Sequence, residues 1–378
     1  MKVAFFQPYL ANWRIEFLNY FISKSDYEVI VYDGGFSKSL SSKSINGDGE
    51  YFNIKKLKSL SPVINISNQS YPFYFSPFLF FNLVYDKPDV IITEGEINFV
   101  NNMSIYLYCK MFGKKYIWWS LGKVRTRKKG RINKILDPVV DFLLNNSSII
   151  MARNTYAKQY YIDVKGLKDS NIIVAPNSMD GAKAIREVDE ILVKDLINEK
   201  KGTTFLYVGG LVKTKRPADL IEAFSVILKT GDATLWFVGE GPELESLQQL
   251  VRDLNLEDSV RFFGKVFNGV GSYFKAADVV VVPGLGGLVI NHAMIFGKPV
   301  ICGIADGTEL DLIKDGLTGY LLKEGGVDSL IWAMKKIIKT DIAEIMRPHI
   351  LDLIDKEWNI ELMYKRCNDC IKSVHGNV

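Results

Sequence analysis

A chain of 378 residues, 48% of them hydrophobic and 24% charged, has the material for two domains with sizeable cores. Its formal charge of +4 is mildly basic, which excludes neither nucleic acid nor acidic small molecules as partners. The four cysteines do not make a disulfide framework: Cys367 and Cys370 form a lone CxxC, and a zinc site would need a second pair or nearby histidines.

Short apolar runs alternate with helical patterns along the whole chain, the arrangement of parallel sheets with crossover helices. The first run, KVAFF at residues 2 to 6, is too short for the apolar stretch of a signal peptide, so a strand in a cytoplasmic protein is expected. In the first half, strands are expected at Val3–Phe6, Glu28–Tyr32, Asp89–Thr93, Tyr116–Trp119, Ser148–Ala152 and Ile172–Ala175. Helices are expected near Trp13–Ser23, Asn98–Phe112, Ile132–Leu144 and Thr155–Val164. Tyr71 to Tyr85, YPFYFSPFLFFNLVY, is strongly aromatic but broken by prolines and too short to span a bilayer. It is expected to enter the core, with a membrane-facing role as the other reading. Ile97 to Leu136 contains no Asp or Glu, while Lys110, Lys114, Lys115, Lys123, Arg125, Arg127, Lys128, Lys129, Arg131 and Lys134 all fall there. That run is either a solvated face or a patch that meets anionic lipid or a diphosphate-linked substrate.

After Pro176-Asn177 a polar, charged segment to Gly202 reads as an interdomain connection. This predicts domains at residues 1–176 and 203–342 around a linker at 177–202, with further helices at 343–378. The second half restarts with the strand runs TTFLYVGG, TLWFVGEG, VRFFGKV, DVVVVPG, KPVICG and GYLL, most followed by helices. Two open parallel sheets place their binding crevices at the carboxyl ends of the strands, and a cleft between two such domains is the default substrate site.

Three strand ends in the second half are marked by glycine. Gly209 and Gly210 end one strand, and Lys213, Lys215 and Arg216 precede a helix opening at Pro217. Gly239 and Gly241 end the next, ahead of Pro242. Pro283 ends the third, where Gly284, Gly286 and Gly287 make a tight loop before a helix from Leu288 to Phe296. Glycine permits close backbone approach, while a helix N-terminus and a cation favour phosphate. An ordinary strand-to-helix turn is the bland alternative for each loop alone. Three together point to a nucleotide-diphosphate site.

These residues resemble the family 4 retaining glycosyltransferases of the GT-B fold. The blocks VGGLVKTKRPADLIEAF, VGEGPELESLQQLVRDLNLEDSVRFFGKV, VVPGLGGLVINHAMIFGKPVI and DGTELDLIKDGLTGYLL carry the resemblance almost continuously through the second half. The first half is similar only loosely, through strand spacing and VAPNSMD. The resemblance implies an α/β chain with two Rossmann-like domains facing a central cleft, the last helix crossing back to the first domain. It implies that Gly209 and Gly210 present backbone to a donor diphosphate, neutralised by Lys215 with Arg216 beside it. Gly239 and Gly241 would shape the nucleotide pocket, Lys265 and Val266 would border the base, and Gly284, Gly286, Gly287, Leu288 and Val289 would meet the sugar-phosphate.

The departures are specific. Most members have arginine where Gly210 stands, and their glutamate pair, eight positions apart, falls at Gly284 and His292. The chain resembles a bacterial subgroup with a PG-x-x-GL loop and histidine at the second position. His292 is expected to contact the donor, with a satisfied core histidine as the alternative. The acceptor-domain histidine has no counterpart near IWWSLG, where Ser120 or Leu121 stands. Glu94 and Glu96, after DVIIT, could orient an acceptor hydroxyl or be solvated carboxylates. No Asp-x-Asp occurs, so no metal and no cofactor is expected; the nucleotide-diphosphate sugar is a co-substrate. The expected partners are that donor, a saccharide or lipid-linked saccharide acceptor, and an anionic membrane surface contacted peripherally at the inner face, with no nucleic acid. Surface-polysaccharide assembly is the implied setting. A non-catalytic GT-B scaffold is the alternative favoured by the missing glutamates. An epimerase would need carboxylates that the loop after Pro283 lacks, and a dinucleotide oxidoreductase would need G-x-G-x-x-G where FFQPYLANW stands.

Overall fold

The computed structural model describes residues 1–35, 54–60, 63–66, 69–72, 75–123, 131–338 and 342–376. Arg125, Arg127, Lys128 and Lys129 of the basic run lie outside the described residues. The chain forms two compact units, one built from residues up to Pro176 together with those from Ile360 onward, the other from Asn177–Asn359.

The first unit holds β1 (Lys2–Gln7), β2 (Glu28–Asp33), β3 (Ile54–Lys56), β4 (Val63–Ile66), β5 (Gln69–Pro72), β6 (Val90–Glu94), β7 (Lys115–Ser120), β8 (Ile149–Ala152) and β9 (Ile172–Val174). Seven of these make a parallel sheet in the order β3-β2-β1-β6-β7-β8-β9, while β4 and β5 pair as an antiparallel hairpin. The two-residue period of a strand sorts the core between two faces. Val3, Phe5, Val90, Ile92, Ile117, Trp119 and Met151 pack with helices Asn12–Lys24 and Ile360–His375. Ala4, Phe6, Ile91, Tyr116, Trp118 and Ile150 pack on the other face with helices Leu79–Asp86, Phe99–Phe112, Arg131–Asn145 and Thr155–Asp163.

The terminal helix belongs to this unit because Met363, Cys367, Cys370, Ile371 and Val374 line one of its faces and are buried there. Tyr27 donates its hydroxyl to Asn368 Oδ1 at 2.6 Å, and Tyr364 donates to the Lys24 carbonyl at 2.8 Å. The aromatic run behaves differently from its expected core role. Leu79 and Leu83 are buried, but Phe78, Phe81 and Tyr85 are 57%, 65% and 83% exposed. Helical periodicity splits the part from Leu79 onward between two faces, and only one of them meets the sheet.

The second unit holds β10 (Thr203–Val208), β11 (Ala233–Val238), β12 (Val260–Phe262), β13 (Val279–Val282), β14 (Val300–Cys302) and β15 (Gly319–Leu321). They form one parallel sheet in the order β12-β11-β10-β13-β14-β15. The polar segment before it carries two helices, Gly181–Arg186 and Glu190–Glu199, whose first turns are capped by Asp180 and Asp189. Ala184, Val193 and Leu196 from these helices enter the unit's core. Among the described residues no helix is long and apolar enough to cross a membrane.

Candidate functional site

In the second unit the strand order reverses between β10 and β13, which makes the carboxyl ends of those strands the crevice where an α/β sheet binds ligands. The glycine loops meet there through backbone hydrogen bonds. Gly209 N–H donates to Val238 O at 2.9 Å, Leu211 N–H to Glu240 O at 2.9 Å, and Gly239 N–H to Gly264 O at 2.8 Å. Leu285 N–H donates to Thr214 O at 3.2 Å, tying the loop after β13 to the lysine turn after β10. Gly210 O accepts from the Tyr207 hydroxyl at 2.9 Å, and Gly241 O accepts from Leu244 N–H at 3.1 Å.

Lys215 is the cation at this junction. Its Nζ stands 2.7 Å from where a Cβ on Gly209 would lie, and Gly209 has φ +150°, a conformation other residues rarely adopt. Burial alone pulls the Lys215 pKa down, with no carboxylate acting against it. An unopposed, half-buried ammonium at a glycine-marked strand end suits an anion. Arg216 is turned elsewhere. In the left-handed conformation at φ 57°, it folds its guanidinium onto Asp219 in the first turn of helix Pro217–Ile227 and lies against Gly325. The expected lysine–arginine pair is thus split, because the carboxylate three residues on captures the arginine.

Gly284 has a structural reason for lacking a side chain. A Cβ there would stand 2.6 Å from the Thr214 carbonyl oxygen and 3.0 Å from both Cα and C of Lys215. The space beside Gly284 is filled by the backbone of the lysine turn. Leu288 opens helix Leu288–Ile295, and Val289 packs at the edge of the core. Gly286 backs onto Val282 and Val289, and Gly287 onto the Asp306 side chain. Asn291 anchors the helix, accepting from Met179 N–H at 2.9 Å and donating to Trp358 O at 2.8 Å.

His292, expected to contact the donor, is buried. Its ring packs between Phe274, at 4.5 Å between centroids, and Phe296, at 5.8 Å. Burial lowers its pKa to about 4, which keeps it neutral, and Nε2 has no hydrogen-bond partner in the protein. Lys265 lies over the Phe267 ring at 4.5 Å, and Val266 packs on the core. Two residues missed by sequence reasoning shape the loop. Glu309, fully buried, accepts from Gly307 N–H at 2.7 Å and Ala305 N–H at 3.1 Å, and Asp306 sits at Gly287. Their signal was the GTEL segment, which carries an acid two residues after a glycine.

The first unit has its own reversal, between β1 and β6. Glu94 ends β6 and pairs with Arg153, which follows β8. Glu96 accepts from Tyr161, whose hydroxyl is 2.5 Å away, and from Ser120. Burial raises the Glu96 carboxyl pKa against these hydrogen bonds. Ser120 is buried, its hydroxyl committed to Glu96, so it holds that carboxyl rather than facing an acceptor.

Comparisons agree with this architecture. The sequence profile of the family described as glycosyl transferases group 1 matches residues 188–348. The chain is 37% identical over 123 residues to the N-acetyl-alpha-D-glucosaminyl L-malate synthase of Bacillus anthracis, covering 32% of each chain. It is 27% identical over 212 residues to the UDP-Gal:alpha-D-GlcNAc-diphosphoundecaprenol alpha-1,3-galactosyltransferase of Escherichia coli, covering 54% of this chain and 53% of that one. The matches span about half or less of the length of these curated relatives. The crystal structure of Anabaena HepE in complex with UDP superposes with a TM-score of 0.76 at 17% identity, over 99% of this chain and 100% of that one. Fold and profile together give the chain a GT-B architecture, with residues 188–348 matching the family described as glycosyl transferases group 1.

Proposed function

We propose that the chain transfers a sugar from a nucleotide-diphosphate donor to a saccharide acceptor, retaining the anomeric configuration and without a metal. The observation that carries this is Lys215, unopposed by any carboxylate, over Gly209 at the sheet's reversal point. Negative charge develops on the leaving diphosphate during transfer. Lys215 after β10 and the N-terminus of helix Leu288–Ile295 after β13 follow neighbouring strands, and both would favour that charge. The names of the relatives support a nucleotide-sugar donor and, for the galactosyltransferase, an acceptor on a lipid diphosphate. Surface-polysaccharide assembly at the inner membrane face fits both.

Peripheral membrane contact draws support from exposed apolar side chains on two helices that pack side by side. Phe81 and Tyr85 on Leu79–Asp86, and Leu107 and Met111 on Phe99–Phe112, are all exposed, with Lys110 among them. Neutralising Arg125, Arg127, Lys128 and Lys129 together should weaken binding to anionic vesicles; unchanged binding would discard the headgroup role of that run.

The test of the donor site is calorimetric titration with a panel of nucleoside diphosphates on wild type and Lys215→Ala. Removing a charge-assisted contact should weaken the best ligand by about 1.5–3 kcal/mol. Equal affinities would remove Lys215 from the site. The blank side chain at Gly284 and the enclosed His292 favour a second reading, a non-catalytic scaffold that binds the nucleotide sugar only. Donor hydrolysis or transfer in an acceptor screen would exclude it.

A further inference from the structure

Arg14 is a buried charge whose guanidinium nitrogens have no hydrogen-bond partner in the protein. It lies in the first turn of helix Asn12–Lys24 and is 1% exposed. Its guanidinium stacks on Trp119 at 3.6 Å from the ring centroid and on Trp13 at 4.4 Å. Stacking covers the faces of the guanidinium but satisfies none of its N–H groups, and Nε and both terminal nitrogens have no hydrogen-bond partner in the protein. Arg153 approaches the same Trp119 ring at 5.5 Å, and its own Nε is also unpartnered.

Two guanidinium groups thus lie near one indole, and Arg153 is paired with Glu94 and also feels Glu96. Glu96 is occupied by Ser120 and Tyr161. Tyr9, which follows β1, shares the pocket, since Glu94, Arg153 and Arg14 all act on its phenol. Burial, then the like charge of Arg153, pushes the Arg14 pKa well below its ordinary value. A buried charge without a partner is costly, and a fold retains one where something completes it. The positions fit a ligand site. Tyr9 follows β1 and Glu94 ends β6, the two strands at the sheet's reversal, and both are partly exposed while Arg14 behind them is buried.

We propose that Tyr9, Arg14 and Arg153 form an oxyanion subsite in the first unit, which takes a phosphate group borne by the saccharide acceptor. This rests on the glycosyltransferase reading and deepens it by naming the acceptor's charge. Glu94 acts as an internal stand-in, holding Arg153 until the phosphate arrives.

The test uses full-length protein and thermal unfolding in increasing inorganic pyrophosphate. The Lys215→Ala background removes the donor-site cation. In that background pyrophosphate should still raise Tm, and adding Arg14→Met should raise the half-saturating concentration at least about tenfold. Methionine keeps an apolar stem on Trp119, so the double variant should fold. Should it fail to do so, Glu94→Gln in the Lys215→Ala background releases Arg153 and should tighten pyrophosphate binding. A response to pyrophosphate that is absent with Arg14 intact, or unchanged by Arg14→Met and Glu94→Gln, overturns the subsite. Glucose 1-phosphate that shifts Tm more than equimolar inorganic phosphate assigns the site to a sugar-borne phosphate; an equal shift overturns that assignment. UDP titrations separate the two sites. A UDP response lost in Lys215→Ala but kept in Arg14→Met supports the donor reading, and its absence from wild type defeats that reading without touching Arg14.

Discussion

Replacing Gly284 by alanine adds one methyl group where the fold has no room. The new Cβ would lie 2.6 Å from Thr214 O and 3.0 Å from Lys215 C and Cα, against an unstrained separation of about 3.5 Å. These are backbone atoms, so no rotamer change relieves the clash. They are also tied down, since Lys215 N–H donates to Val212 O at 2.9 Å and Leu285 N–H to Thr214 O at 3.2 Å. Overpacking of this kind typically costs about 1–3 kcal/mol. For a unit of this size that corresponds to a Tm lowered by roughly 2–12 °C. The lysine turn must also shift, carrying Nζ away from Gly209, so affinity for a nucleoside diphosphate should fall about tenfold, or ~1.4 kcal/mol. Gly284→Glu, a longer side chain in the same space, should be worse on both counts. Scanning calorimetry and titration calorimetry on the same preparations measure the two effects. An alanine variant with wild-type Tm and wild-type affinity would show that the lysine turn does not occupy this space.

Other outcomes follow from the same geometry. Because burial depresses the Lys215 pKa, the free protein loses that ammonium at lower pH than an ordinary lysine. Nucleoside diphosphate affinity should therefore begin to fall below pH 10.5, and Lys215→Arg should flatten the profile; a parallel fall in both proteins would assign the titration elsewhere. His292, with its pKa at about 4 in the fold and near 6.5 when unfolded, stays neutral where the unfolded chain takes a proton. Stability is full above pH 6.5 and is lost as pH falls toward 4, by about 3 kcal/mol in all. Urea denaturation at pH 7 and pH 4.5 should show a smaller acid loss in His292→Phe than in wild type, and identical losses would contradict the buried neutral ring. Glu309→Ala removes the acceptor for Ala305 and Gly307 N–H, at a cost of about 1.5–3 kcal/mol per bond. Donor affinity should fall with stability, while Glu309→Gln should recover part of both.

Local chemistry was enough to read much of this protein from its residues. Apolar runs such as VVVV at β13 and ATLWFV at β11 are strands because β-branched and aromatic residues suit a sheet buried on both faces. Glycines at or just after their ends mark turns that few other residues can make, and Lys215 lies beside Gly209 in the fold as it does near it in sequence. Placement relative to other elements was not legible. Arg216 stands next to Lys215, yet its guanidinium goes to Asp219, a competition between partners that sequence spacing does not rank. Gly284 reads as a lost glutamate until Thr214 and Lys215 are seen against it. The part of the aromatic run on helix Leu79–Asp86 has two fates, because only packing decides which face of that helix meets the sheet. Arg14 gave no signal, since a single arginine at a helix start is ordinarily solvated. Trp119, Arg153 and Glu94 come to it from strand ends more than 79 residues away, and chain topology alone assembles them.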